Sequence, residues 1–395
     1  MDPLTWVLCD SQGKPLPGGH VATNRRLVAG RNRAMEARLS LSLHDEAAIA
    51  LFQALREGIP QLRVSRGTGN DATLVFSGHW TPMRGSNNTD SPSTLELVFK
   101  DAFSRLAYRY TDATVTYTGI DAGVIAYSLI EDANEPQGVP LPEFEVDGFT
   151  GVALDLAWIE ATKVRDRTYE NKNIAEAITE LTEVLQGFDW FPVYQDSRTS
   201  TGGTTMEFHV VGSVGGEQPT AIFEYGDGTK QNCMGYSFTT GLPVTWARAL
   251  GAGGLTSEQW SIPYARQYGI YLSLVSATDV SEALTLADKA YDQLRFSPVH
   301  VTEFRPDPAV SPLPWRDFWV GDTISLNIDD GAMQQQAQLR VQTVEVGLDD
   351  SDNISDLVIG VDPDGDGSYL APADTARSYV QKQRDILRRL SALER

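Results

Sequence analysis

A run of acidic residues near the end of the sequence has the residue types and spacing of a calcium loop. In VDPDGDGSYL, Asp362, Asp364 and Asp366 stand at every second position and a glycine follows, as in the first half of a helix-loop-helix calcium site. Such a site also needs a bidentate carboxylate at position twelve, where this sequence has Ala373. Residues 357–361, which come before the loop, have the pattern of a strand and not of a helix. The sequence therefore favours a solvated turn, and a weakly held ion at the three aspartates is the open alternative.

Residues suited to nucleophilic or hydrolytic catalysis do not fall into a known motif. The chain has no Gly-x-Ser-x-Gly elbow, no His-Glu-x-x-His pair and no Gly-x-x-x-x-Gly-Lys phosphate loop. The five histidines are scattered along the chain, at positions 20, 44, 79, 209 and 300. His79, His209 and His300 lie in strand patterns, where a hydrogen-bonded or solvent-facing role is usual. A carboxylate pair for glycoside cleavage stays open, because 53 acidic residues offer too many pairs to choose from. We expect no enzyme and no cofactor.

Two tryptophans, Trp315 and Trp319, flank the sequence Arg-Asp-Phe and could act together. If both rings were exposed, they would form a platform for a sugar. If both were buried, they would be ordinary sheet-packing aromatics. The sequence favours the buried arrangement.

Composition excludes several classes of partner. The formal net charge is −21, so a basic patch for nucleic acid or for an anionic membrane is not expected. Cys9 and Cys233 are the only cysteines, too few for a disulfide framework or a zinc cluster. The first residues lack a basic region followed by an apolar core, and no run reaches about 18 apolar residues. We therefore expect no signal peptide and no membrane anchor.

The positions of apolar residues predict strands along most of the chain and several helices. The clearest helix is 174–186, because Asn173 and Glu176 have the spacing of a capping box. A helix at 44–57 places Ala48, Leu51, Phe52 and Leu55 on one face, and a short helix is predicted at 121–132. A helix at 280–294 is predicted to bury Ala283, Ala287, Ala290, Tyr291 and Leu294. The main predicted strands are 35–43, 61–65, 72–80, 94–100, 190–194, 205–211, 245–252, 269–273, 299–304, 323–328, 338–346 and 357–361.

The order of strands, one helix and further strands occurs twice, with a mixed segment between the two occurrences. This similarity of order is a weak indication of a duplication. The last residues, 374–395, are predicted to be helical with a narrow apolar stripe of heptad spacing at Tyr379, Gln383, Ile386, Leu390 and Leu393. Such a stripe packs either on the body of its own chain or on copies of itself, and its narrowness favours copies.

Short segments along nearly the whole chain together resemble the tail-hub or minor tail proteins of long-tailed phages of actinobacteria. An alternating strand, a helix, a short strand and a strand with Phe-Ser-Gly match the first domain of such a hub. Further segments match its middle, the entry strand of its second barrel and its basic terminal helix. The matching residues are 31–43, 61–64, 74–78, 167–174, 188–190, 318–324, 384–390 and 393–395.

The resemblance implies a mainly β protein with some α (α+β, multidomain). It has two tail-tube-like β-barrels, each with one helix, a mixed α/β insertion between them and a coiled-coil-like C-terminal helix. The implied domains are a first barrel at 1–115, the insertion at 116–235, a second barrel at 236–370 and a terminal helix at 371–395. Three chains would present six barrels in a pseudo-sixfold ring, which joins a hexameric tail tube to a threefold tip. The five heptad residues would form the trimer interface.

The implied partners are two further copies, the tail tube or a distal tail protein above, and tip fibre, spike or receptor-binding proteins below. DNA would pass through the lumen without specific binding, and acidic walls would repel it. The implied place is the distal end of the tail in the virion, and the host cytoplasm during assembly. Because the sequence ends soon after the terminal helix, host-contacting and wall-degrading parts are expected on other polypeptides.

Three alternatives stay open. The chain could be a carbohydrate-binding receptor module that uses Trp315 and Trp319, or a peptidoglycan hydrolase of the tail tip. Within the structural class, it could be the equivalent hub of a contractile injection machine or of a gene-transfer particle.

Overall fold

The computed structural model describes the chain in segments that contain almost all of its regular elements. These segments are 3–10, 14–16, 22–42, 44–55, 60–67, 72–81, 94–134, 151–183, 187–195, 205–226, 231–240, 242–277, 280, 283–291, 293–294, 299–331, 334–350 and 352–362. The chain divides into two units. Unit 1 is Met1–Val214 with Thr343–Val358, and unit 2 is Gly215–Gln342 with Ile359–Arg395. The described part is mainly β with a few helices, as predicted.

Unit 1 contains most of the strands of the first half of the chain and three helices. They are β1 (Leu4–Cys9), β2 (Thr23–Gly30), β3 (Glu36–Ser42), α1 (Glu46–Leu55), β4 (Gln61–Arg66), β5 (Thr73–Thr81), β6 (Thr94–Lys100), β7 (Val115–Asp121), α2 (Ala122–Asn134), β8 (Val152–Ala153), β9 (Val164–Tyr169), α3 (Ile174–Thr182), β10 (Asp189–Gln195) and β11 (Thr205–Val211). Short 3-10 helices lie at Ala102–Tyr108 and Leu156–Trp158.

The main sheet of unit 1 has the strand order β1-β4-β5-β6-β3-β2, and each neighbouring pair is antiparallel. Strand β3 shows why this sheet forms. Ala37, Leu39 and Leu41 are fully buried, whereas the residues between them are not, so one face of the strand lies on the core. Each buried leucine contributes about 1.5–3 kcal/mol relative to an exposed one. Helix α1 follows directly and buries Ala48 and Leu51, two of the four residues predicted for its inner face.

The other elements of unit 1 form two smaller sheets, β10-β11-β8 and β7-β9, together with α2 and α3, which pack against each other. Helix α3 begins as predicted, because the Asn173 side chain accepts a hydrogen bond from the Glu176 N–H at 3.1 Å. Its buried residues include Ile174, Ala177, Ile178 and Leu181, which is the predicted face. The helix ends at Thr182, four residues before the predicted end, and Leu185 lies outside the described residues.

Unit 2 contains β12 (Glu217–Gly226), β13 (Cys233–Thr240), β14 (Trp246–Gly251), β15 (Thr256–Trp260), α4 (Ile262–Tyr268), β16 (Leu272–Ala277), α5 (Ala283–Tyr291), β17 (Val299–Pro306) and β18 (Thr323–Asp329). Two long strands, β19 (Gln334–Leu348) and β20 (Ile354–Asp362), contribute residues to both units. In unit 2, β12 pairs in parallel with β18, and the pairs β18–β19, β13–β17 and β17–β20 are antiparallel.

A separate three-stranded sheet, β15-β14-β16, has one face covered by α5. Its core joins Ala247 and Ala249 of β14 to Leu286, Ala290 and Leu294. The face predicted for α5 was therefore partly wrong. Ala290 and Leu294 are buried as predicted, but Ala283 is exposed and Leu286 is buried instead. Burying a leucine removes far more apolar surface from water than burying an alanine. The helix face that carries Leu286 therefore packs on the sheet, and the face that carries Ala283 does not.

The predicted helix of the second repeat thus packs on its own small sheet. The sequence pattern did not separate this sheet from the strands on either side of it. The four predicted domain segments, 1–115, 116–235, 236–370 and 371–395, stay a prediction. Among the described residues, no helix combines the length and the apolar character that crossing a membrane requires.

Candidate functional site

The candidate metal residues lie at the end of the described chain. Asp362 is the last residue of β20, whereas Asp364 and Asp366 lie outside the described residues. Within the described segments, no group of three or more His, Cys, Asp or Glu side chains is placed to hold a metal ion. The residue before the loop is in a strand, as predicted, and the turn itself stays a prediction.

The candidate trimer seam also lies outside the described residues. This applies to all five of its members, Tyr379, Gln383, Ile386, Leu390 and Leu393. The seam therefore stays a prediction that rests on heptad spacing alone.

Trp315 and Trp319 lie in the loop before β18, and their rings stack on each other. The ring centroids are 4.4 Å apart and the planes differ by 24°. Both side chains are half-buried, and Phe318 between them is buried. The prediction that both are buried in sheet packing was wrong. Each ring covers one face of the other, so at most the outer face of each half-buried ring is left for a sugar.

The loop that carries the two tryptophans is held by Asp317. Its carboxylate accepts hydrogen bonds from the Arg316 guanidinium, from the Leu313 N–H at 2.8 Å and from the Ser311 hydroxyl at 2.8 Å. The hydrogen bond from Arg316 is the main reason that the pKa of Asp317 lies well below its usual range. The carboxylate thus stays ionised and acts as a structural brace for the loop.

Two of the strand histidines have structural partners, as predicted. His79 in β5 accepts a hydrogen bond from Arg105 Nε at 3.1 Å. Burial, with the nearby Arg105 charge, lowers the pKa of His79 to about 3, so this side chain is neutral. His209 in β11 stacks between the rings of Trp158 and Phe191, and its Nε2 lies 3.0 Å from a Glu207 carboxylate oxygen. His44 is exposed, His300 lies in β17, and His20 lies outside the described residues.

The two cysteines are also poor candidates for chemistry. Cys9 and Cys233 are both buried and neither forms a disulfide. Burial raises the pKa of the Cys233 thiol, which disfavours the reactive thiolate.

What sequence reasoning missed is a surface rather than a catalytic group. The face of the β15-β14-β16 sheet opposite α5 carries large apolar side chains, and we call it the apolar sheet face. Its members are Trp246, Leu250, Trp260, Leu272 and Leu274. The Trp246 and Trp260 rings stack across the strand pair with centroids 4.3 Å apart. The available signal was Trp246 and Leu250 alternating with the alanines that α5 covers, which made both faces of β14 partly apolar.

The same sheet face has one internal ion pair. Arg248 Nε donates to a Glu258 carboxylate oxygen at 2.7 Å, and its guanidinium lies 5.0 Å from the Trp246 ring centroid. The cation is attracted to the ring, and because Glu258 pairs with Arg248 the two charges cancel.

No protein-family model matches the chain, and neither does any curated protein. Solved structures of tail proteins do match its fold. The tail protein from Neisseria meningitidis MC58 superposes with a TM-score of 0.53 at 13% identity, over 94% of this chain and 99% of the other. The 43 kDa tail protein of prophage MuSo2 from Shewanella oneidensis gives a TM-score of 0.51 at 11% identity, over 91% of this chain and 98% of the other. The chain therefore has the fold of these two tail proteins.

Proposed function

We propose that the chain is a structural protein of a phage tail, in which three copies form the hub at the distal end. The observation that carries this proposal is the fold. It is shared with two tail proteins over 94% and 91% of the chain and over nearly the full length of both. Because the match extends over nearly the whole of each chain, the likeness is not limited to one domain that many proteins share.

In the proposed hub, each chain supplies two tail-tube-like barrels, at 1–115 and 236–370, with the mixed insertion at 116–235 between them. Three chains then present six similar surfaces to the hexameric tail tube and three to the tip. A threefold ring can meet a sixfold ring at every position only when each chain carries two equivalent domains. The terminal helix at 371–395 brings the three chains together through its heptad seam.

The proposed role of the hub is assembly and passage of DNA, without bond chemistry. With 53 acidic and 32 basic residues, the chain as a whole repels a polyanion. This fits a channel through which DNA passes without specific binding. The tail tube or a distal tail protein lies above the hub in this account, and fibre, spike or receptor-binding proteins lie below.

The rival functions find less support in the described residues. A sugar platform at Trp315 and Trp319 would need two rings side by side with open faces, whereas one face of each ring is covered by the other. A hydrolase would need a nucleophile or an acid–base pair facing a cleft. Here His79 is half-buried and held neutral beside Arg105, and both cysteines are buried.

Immunogold labelling of intact particles tests the proposal. Antibodies against the purified chain should label the distal end of the tail and nowhere along the tube. Labelling that follows the length of the tail, or that appears only at the head, would contradict it.

A further inference from the structure

Strand β16 lies at one edge of the β15-β14-β16 sheet, and among the described residues its outer side has no strand beside it. The Trp246 N–H donates to the Tyr271 carbonyl at 3.0 Å, which shows which backbone groups of this strand face β14. Because backbone groups alternate along a strand, the N–H and C=O groups of Leu272, Leu274 and Ser276 point away from β14. We call this row of backbone groups the open edge.

The open edge is accessible and uncharged. Leu272 and Leu274 are 42% and 60% exposed, and Ser276 is also exposed. No charged residue occurs from Gln267 to Ala277, although charged residues make up 22% of the chain. A strand edge of this kind is a template on which another chain can pair.

The other edge strands in the described part of the chain are protected against such pairing. Prolines, charges, register shifts and short length all block it. Strand β8 has two residues, β10 contains Pro192 and β12 contains Pro219. Strand β15 carries Glu258, and register shifts occur in β13 and in the β7–β9 pair. The end of β1 is covered, because the Leu16 N–H donates to the Leu8 carbonyl. The six residues of β16, LSLVSA, have none of these protections.

Charge and side-chain pattern define the strand that the open edge would accept. The chain carries −21, so a segment with net positive charge is attracted and a second copy is repelled. Every second side chain of an added strand would lie beside Leu272 and Leu274. Apolar residues at these positions would extend the apolar sheet face, whereas charged residues there would lose water without gaining a partner.

We propose that the open edge of β16 binds an extended, basic segment of a different tail protein, apolar at alternate positions, as an added strand of the β15-β14-β16 sheet. In this mode of recognition, backbone hydrogen bonds supply the affinity and alternate side chains supply the selectivity. That the partner is a tail protein rests on the proposed function.

Hydrogen exchange, measured at single amides by mass spectrometry, tests the proposal. The purified chain is compared with the chain in intact particles. We expect the Leu272, Leu274 and Ser276 amides to exchange about tenfold or more slowly in particles than in the free chain. The Ser273 and Val275 amides are the internal control, because they face β14 and should exchange slowly in both samples.

Each other outcome of this measurement overturns the proposal. Slow exchange in the dilute free chain means that another segment of the same chain covers the edge. Slow exchange that appears only as the free chain is concentrated means that a second copy covers it. If the three amides stay fast in particles while immunogold labels the distal end of the tail, strand addition is wrong and the proposed function stands.

Two substitutions at Ser276 separate backbone pairing from side-chain packing. Ser276→Pro removes an N–H that points away from β14, so the sheet keeps its own hydrogen bonds. Ser276→Ala changes the side chain and keeps the N–H. In complemented particles, Ser276→Pro should lower the plaque titre about tenfold or more, whereas Ser276→Ala should not. Equal titres from two variants with equal thermal unfolding midpoints would overturn the proposal, and hydrogen exchange decides if the proline variant does not fold.

The sign of the partner's charge is tested at the same position. Ser276→Lys places a positive charge beside the added strand, and Ser276→Asp places a negative one there. Because like charges repel, Ser276→Lys should lower the plaque titre more than Ser276→Asp. The reverse order would contradict a basic partner segment.

Discussion

The Tyr194 hydroxyl donates a hydrogen bond to Asp101, and both side chains are enclosed in unit 1. The two oxygens are 3.1 Å apart, and the Met35 N–H donates to the same carboxylate oxygen at 2.8 Å. Burial raises the pKa of Asp101 to about 7, although these hydrogen bonds oppose the rise. The pair therefore couples the stability of unit 1 to pH.

The first prediction concerns this coupling. The folded-state pKa of Asp101 lies above its unfolded value of about 3.9, so between these values the folded protein holds a proton that the unfolded chain has lost. The free energy of unfolding should fall as pH rises from about 4 to about 7, by up to roughly 4 kcal/mol. In Asp101→Asn this part of the pH dependence should disappear. Urea unfolding at a series of pH values measures both proteins, and equal slopes would contradict the prediction.

The second prediction concerns a glycine at the end of the β12–β18 pairing. Gly226 has φ of +126°, and a Cβ atom there would lie 1.7 Å from the Asp329 carbonyl oxygen. Gly226→Ala should lower the free energy of unfolding of unit 2 by about 2 kcal/mol or more, because the backbone must move. Gly216→Ala is the matched control, since no atom lies within 4 Å of its Cβ position. Thermal unfolding midpoints compare the two variants, and a Gly226→Ala midpoint as high as that of the control would be inconsistent with this geometry.

The third prediction concerns the proposed seam. Ile386→Asp together with Leu390→Asp should prevent assembly of the tail tip and leave the rest of the chain folded. At each of the two positions, the new carboxylates of neighbouring copies would face one another in the seam and repel. Leu387→Asp is the matched control, since residue 387 lies off the heptad stripe. Plaque counts and electron micrographs of complemented particles provide the measurement. Normal infectivity of the double variant would refute the seam.

The fourth prediction concerns catalysis. The purified chain should give no clearing in a peptidoglycan zymogram, next to a known muramidase as the positive control. The reason is that both cysteines are buried and His79 is held neutral beside Arg105, which leaves these side chains poorly suited to start a hydrolysis. A clear band at the mass of the chain would favour the rival hydrolase.

Local pattern was enough to predict several elements from the sequence. Strands β6 and β11 have the predicted limits, 94–100 and 205–211. Asn173 caps α3 as predicted, because the capping signal depends only on residues three positions apart. These elements succeed because the information that defines them lies within one or two turns of chain.

Tertiary packing decided what the sequence did not predict. The stacking of Trp315 on Trp319 depends on the hydrogen bonds around Asp317, which spacing does not reveal. The apolar sheet face was missed because β14 is apolar on both sides, and only the position of α5 shows which side stays open. The sequence did not predict that Asp101 is buried, since its burial depends on residues far away in the chain.

Cryo-electron microscopy of intact particles, focused on the tail tip, tests the proposed hub most directly. The account predicts a threefold ring directly below the last hexamer of the tail tube, with two barrels from each chain around the channel. Copies at the periphery of the tip, away from the channel, would contradict the hub and favour a receptor-binding role.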